Sequence, residues 1–129
     1  MHKPKNITTT HQIAFIYLYF ASETDKQLAT EEMMMISNKV ENWINKDVNN
    51  SLRLNAWDIL SESLNWLSSL TPSQKETEFI LIFDSFKEQC SSSQKITIIE
   101  DLKEISKSDG VVLEAEKKLI EKSSDMLEN

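Results

Sequence analysis

The chain has 129 residues, of which 40% are hydrophobic and 27% are charged, and its formal net charge is −7. This composition is typical of one globular domain, excludes a disordered chain, and lacks the excess of Lys and Arg that nucleic-acid binding requires. Because there are only one Gly and two Pro, we predict long helices rather than a sheet with many turns. We therefore predict an all-α fold in a single domain over residues 1–129, with residues 1–9 as a flexible segment.

The first predicted helix covers about residues 10–22, with Thr9 and Gln12 at the spacing of a capping box. Its apolar face contains Ile13, Ile16, Tyr17 and Phe20. The apolar run 13–21 has the length of a signal-peptide core, but its two tyrosines and its match to a later segment favour a folded helix. Since the run is shorter than the about 20 apolar residues needed to cross a bilayer, we predict no membrane span.

The second predicted helix opens near Thr30, a favourable N-cap, and Glu31 and Glu32 suit the positive end of the helix dipole. Its core positions are Met33, Ile36, Val40, Trp43 and Ile44. A third helix, over about residues 51–70, carries many leucines as well as Trp57 and Trp66. We expect it to be the central and most enclosed helix.

The fourth predicted helix has the clearest start in the chain. Thr71 is its N-cap, Pro72 stands at the first helical position, and Gln74 completes a capping box. Its apolar positions are Phe79, Ile80, Phe83, Phe86 and Cys90. Three serines then interrupt the pattern. A fifth helix over about residues 94–108 ends before Gly110, and a sixth covers about residues 114–126, which gives a bundle of six to seven helices.

A long internal repeat is the most informative feature of the sequence. The segment Leu18–Trp43 aligns without a gap on Leu102–Leu127. The identical pairs are Leu18/Leu102, Ser22/Ser106, Asp25/Asp109, Glu32/Glu116 and Ile36/Ile120. Each copy is an apolar helix end, an Asp loop and a Glu that opens a second helix. The repeat predicts two pseudo-symmetric helical hairpins.

The repeat duplicates a pair of carboxylates, Asp25 with Glu32 and Asp109 with Glu116. Divalent cations such as Ca²⁺ and Mg²⁺ prefer oxygen ligands, so four acids close to one pseudo-two-fold axis could form a metal site. The spacing differs from an EF-hand loop, and one copy offers only two carboxylates. In the alternative interpretation, Asp bonds to loop N–H groups and Glu stabilises the helix start, with no ion bound.

Other candidate residues have structural interpretations. Met33–Met35 could form a soft-metal or peptide-binding surface, but core packing is favoured, with Met34 exposed. Trp57 and Trp66 could line a ligand groove, but core or partner-facing positions are favoured. Cys90 fits a buried, inert thiol that cannot form an intrachain disulfide. A chain without disulfides favours a cytoplasmic location.

Enzymatic signatures are absent from the sequence. His2 and His11 are the only histidines, and we expect both near a flexible end. No phosphate-binding glycine loop, nucleophile elbow or Glu-x-x-His pair is present. The acid pairs Asp58/Glu62 and Asp84/Glu88 have the spacing of solvated helix faces. We therefore predict no catalytic residue.

The segment IEDLKEISKSDGVVLEAEKKLIEKSSDML resembles the signature of the tellurite-resistance TerB-like domain, an apolar helix that ends at an Asp-Gly loop before a helix that opens with Glu. The segment IYLYFASETDKQLATEEMMMIS resembles the first half of the same duplicated signature. Together with the middle helices, the resemblance covers roughly Gln12 to Leu127. Lys26 departs from it, because a glycine is expected there.

The resemblance implies a compact helical domain with internal pseudo-symmetry and a role in stress or tellurite response through protein assemblies near the membrane. It also implies a divalent-cation site at Asp25, Glu32, Asp109 and Glu116, with Ca²⁺, Mg²⁺ or Mn²⁺ as the ion. We predict a non-enzymatic interaction module with a protein partner. The alternatives are a metal-free module that docks through exposed Trp and Met residues, and a carboxylate-based hydrolase, which requires a pocket with two acids.

Overall fold

The computed structural model describes residues 9–25, 30–46, 56–106 and 114–128, without the side chains of 22–25, 30–32, 45–46, 106, 114–116 and 128. Six helices follow in order: α1 Thr9–Asp25, α2 Thr30–Lys46, α3 Ala56–Ser68, α4 Pro72–Gln89, α5 Ser92–Ser106 and α6 Glu114–Glu128. These residues contain no β-strand, so the predicted all-α fold is confirmed. The expected flexible segment, residues 1–9, lies outside the described residues except for Thr9, which opens α1.

The start of α4 follows the predicted capping box. The backbone N–H of Gln74 donates to Thr71 Oγ1, and the backbone N–H of Thr71 donates to Gln74 Oε1 at 2.9 Å. The same arrangement opens α5, where Ser91 and Gln94 exchange equivalent bonds of 2.8 and 3.2 Å. The three serines that seemed to interrupt a helix therefore include the N-cap of the next one.

The most enclosed helix is α1, and the expectation that the third helix would be central is wrong. Every residue of α1 from Ile13 to Ala21 is buried, and α1 contacts each of the other five helices. A helix that is apolar on all sides is stable only when neighbours cover it on all sides. In α3, by contrast, Trp57 is 58% exposed.

Aromatic side chains connect α1 to the middle helices. Phe15 packs on Trp66 of α3, and Tyr19 stacks on Phe79 of α4, each with ring centroids 4.5 Å apart. Phe79 continues to Phe83 at 4.8 Å in an edge-to-face arrangement. Aromatic pairs prefer particular ring orientations in addition to burying apolar area. These pairs therefore help to fix the orientation of α1 relative to α3 and α4.

The helices α1 and α5 lie side by side and run in the same direction. Their first turns line one cavity, and two turns further on Tyr17 of α1 is hydrogen-bonded to Asp101 of α5. The first turns and the Tyr17–Asp101 hydrogen bond are about 12 Å apart along each helix. Because both helices meet at their first turns and again further toward their C-terminal ends, α1 and α5 are parallel. Both helices therefore end toward the same side of the molecule.

The second helix of each predicted hairpin begins at an equivalent position, Thr30 for α2 and Glu114 for α6. Each packs on its own hairpin partner and also contacts the first helix of the other hairpin. This arrangement is compatible with the predicted pseudo-symmetric pair. Among the described helices, none is both long enough and apolar enough to cross a membrane.

Candidate functional site

The four predicted cation ligands fall at helix ends. Asp25 is the last residue of α1, and Glu32 and Glu116 are each the third residue of their helices, α2 and α6. Asp109 lies outside the described residues, as do the side chains of the other three. In the described part of the chain, no group of three or more His, Cys, Asp or Glu residues could hold a metal ion. The cation site therefore stays a prediction.

The described residues contain a buried polar network between α1, α2 and α5. The hydroxyl of Tyr17 donates to Asp101 Oδ2 at 2.5 Å. The indole Nε1–H of Trp43 lies 3.0 Å from the Tyr17 hydroxyl oxygen and 3.2 Å from Asp101 Oδ2. Burial, the charge of Asp101 and its hydrogen bond raise the pKa of Tyr17 well above its ordinary value, so Tyr17 remains a proton donor.

Lys39 of α2 compensates the negative charge of the Asp101 carboxylate in this network. Lys39 Nζ lies 3.7 Å from Asp101 Oδ1 and also forms an ion pair with Glu104, one turn further along α5. The side chains of Lys39 and Asp101 are 15% and 11% exposed. A buried carboxylate is costly unless it is paired and hydrogen-bonded, and Asp101 has both kinds of partner. We interpret the network as a structural connection between the two hairpins.

This network was not predicted from the sequence, although the offset of the repeat relates two of its residues. Tyr17 and Asp101 are 84 residues apart, the same offset as the pair Leu18/Leu102 that begins the repeat. They stand one position before the two aligned segments, and their contact is compatible with the predicted pseudo-two-fold axis. The pair went unnoticed because a tyrosine and an aspartate share neither identity nor hydrophobicity.

The expectation that His11 lies near a flexible end is wrong, because His11 is buried in α1. It is 1% exposed, its Nε2 lies 3.0 Å from Glu62 Oε2, and its carbonyl oxygen accepts a hydrogen bond from Ser63. Thus Glu62 is not a fully solvated acid, whereas its pair member Asp58 and both Asp84 and Glu88 are exposed. The contacts of His11 connect α1 to α3.

The Met and Trp residues divide between core and surface. Met33 and Met35 pack against the core and Met34 is 57% exposed, as predicted. Trp66 is buried, whereas Trp57 is 58% exposed. Cys90 is half-buried at the end of α4, and burial raises the pKa of its thiol despite the opposing charge of Lys95. The predicted inert thiol agrees with this environment.

Described residues line two concave regions of the structure. Among the described residues that line a groove of about 490 Å³ between α5 and α6, Glu100 is the single acid, beside Lys95 and Lys103. The described residues that line a cavity of about 500 Å³ at the first turns of α1 and α5 include no charged side chain. Within the described part of either lining, the two carboxylates that a hydrolase of the predicted kind requires are not found together.

Comparison with known proteins gives one match. The family model described as Tellurite resistance protein TerB matches residues 18–128. Searches of curated proteins and of solved structures give no match. The matched range covers both copies of the repeat and all four predicted cation ligands.

Proposed function

Because the chain belongs to the family described as Tellurite resistance protein TerB, we propose that it is a non-enzymatic TerB module that binds a divalent cation and a protein partner. The proposed setting is a cytoplasmic response to tellurite or a related stress. The observation that carries the cation proposal is the equivalent placement of Glu32 and Glu116 in the first turns of α2 and α6.

The shared direction of α1 and α5 supports a common site. The last residues of α1 and α5, Asp25 and Ser106, both lie toward the same side of the molecule, and Asp109 follows Ser106 by three residues. Carboxylates from the segments that follow these two helices can bind one hard cation together, where either segment alone offers too few ligands. Backbone carbonyl groups or water complete the coordination in this proposal.

Thermal unfolding of EDTA-treated protein, with and without Ca²⁺, Mg²⁺ or Mn²⁺, tests the cation proposal. An ion at about 100 times its dissociation constant stabilises the folded state by about 2.7 kcal/mol, equivalent to several degrees in the unfolding temperature. We expect the Asp109→Asn/Glu116→Gln variant to lose this shift.

The matched control is Asp84→Asn/Glu88→Gln, which removes two exposed acids from α4 and changes the net charge equally. It should keep the ion-dependent shift. If both variants lose the same fraction of the shift, the effect reflects overall charge. If no ion shifts the unfolding of the unaltered protein, the acids stabilise the helix ends and the cation proposal fails.

The second candidate is a metal-free interaction module. It is favoured by Trp57 and Met34, two large apolar side chains that are more than half exposed. Exposed aromatic and Met side chains are frequent anchors of protein interfaces. Trp57→Ser and Met34→Ser should then abolish partner capture in EDTA, whereas Leu81→Ser, also at an exposed position, should not. Capture that requires an added cation would favour the first candidate.

A further inference from the structure

We draw no further inference here: the strongest candidate, the groove between α5 and α6 where the exposed Ile96 lies beside Lys95 and Lys103, also has Glu100 in its described lining, and nothing in the structure shows what covers it.

Discussion

Individual residues in the core show how a helical protein accommodates a buried charge. Asp101 accepts hydrogen bonds from Tyr17 and Trp43 and is paired with Lys39. These partners come from α1 and α2, whereas Asp101 belongs to α5, so the network forms only when the hairpins are assembled. A polar group of this kind specifies one arrangement of helices, because any other arrangement leaves a charge without partners.

Replacement of Tyr17 by Phe tests the contribution of the network to stability. The change keeps the ring and removes the hydroxyl that donates to Asp101. We expect the free energy of unfolding to fall by about 2 kcal/mol, the usual range for a hydrogen bond to a charged group. Urea unfolding measures the difference, with the exposed Asp84→Asn as the control. Equal stability of Tyr17→Phe and the unaltered protein would mean that the hydroxyl gives no net stabilisation.

The raised pKa of Tyr17 also predicts a pH dependence. Since burial and the charge of Asp101 raise the pKa of Tyr17 in the folded state, the unfolded chain loses this proton first as the pH rises. The folded state then binds more protons, so the free energy of unfolding should decrease above about pH 10, the pKa of tyrosine in an unfolded chain. Tyr17→Phe should reduce this decrease. Identical alkaline profiles of stability for the two proteins would contradict the prediction.

At the scale of the elements, periodicity predicted the helices but not which one is central. In α1, one apolar face of four residues was predicted, but every residue from Ile13 to Ala21 is buried. The reason is that α1 contacts all five other helices. The leucines of α3 suggested a central helix, yet Trp57 and Asp58 face solvent. The number of neighbours around a helix depends on long-range packing, which the apolar pattern of one segment does not contain.

The two capping boxes give a prediction for single helices. Thr71→Ala and Ser91→Ala each remove the side chain that accepts from the N–H of the residue three positions later. Each should lower the free energy of unfolding by about 1 kcal/mol. The two effects should add, because the caps belong to different helices. Chemical unfolding of the single and double variants checks both values. Ser92→Ala, an exposed change outside the capping pair, should stay within about 0.5 kcal/mol.

At the scale of the molecule, the internal repeat predicted two pseudo-symmetric hairpins, and the described helices are compatible with them. It identified the equivalent starts of α2 and α6 and the shared burial of Leu18 and Leu102. It did not reveal the contact between Tyr17 and Asp101, because equivalent positions need not keep the same chemistry. It also gave no reason to expect a cavity at the start of α1 and α5, since the shape of a cavity depends on the distance between helices rather than on their sequence pattern.

The two copies of the repeat differ in chemistry at equivalent positions of the sequence alignment. The network takes Lys39 and Trp43 from α2, and the equivalent residues of α6 are Ser123 and Leu127, which offer no charge and no indole. The positions of the central pair also differ, because Tyr17 is fully buried whereas Asp101 keeps 8% of its surface exposed. The carboxylate thus occupies the position with more access to solvent and to Lys39.

Exchange of the central pair tests this asymmetry. The variant Tyr17→Asp/Asp101→Tyr keeps the composition and the net charge but moves the carboxylate to the fully buried position. Lys39 then keeps only its pair with Glu104. We expect the exchanged protein to be less stable than Tyr17→Phe, since a buried carboxylate with fewer partners costs more than one lost hydroxyl. Urea unfolding of both proteins decides the order. If the exchanged protein matched the unaltered one, the two positions would be equivalent in chemistry as well as in sequence alignment.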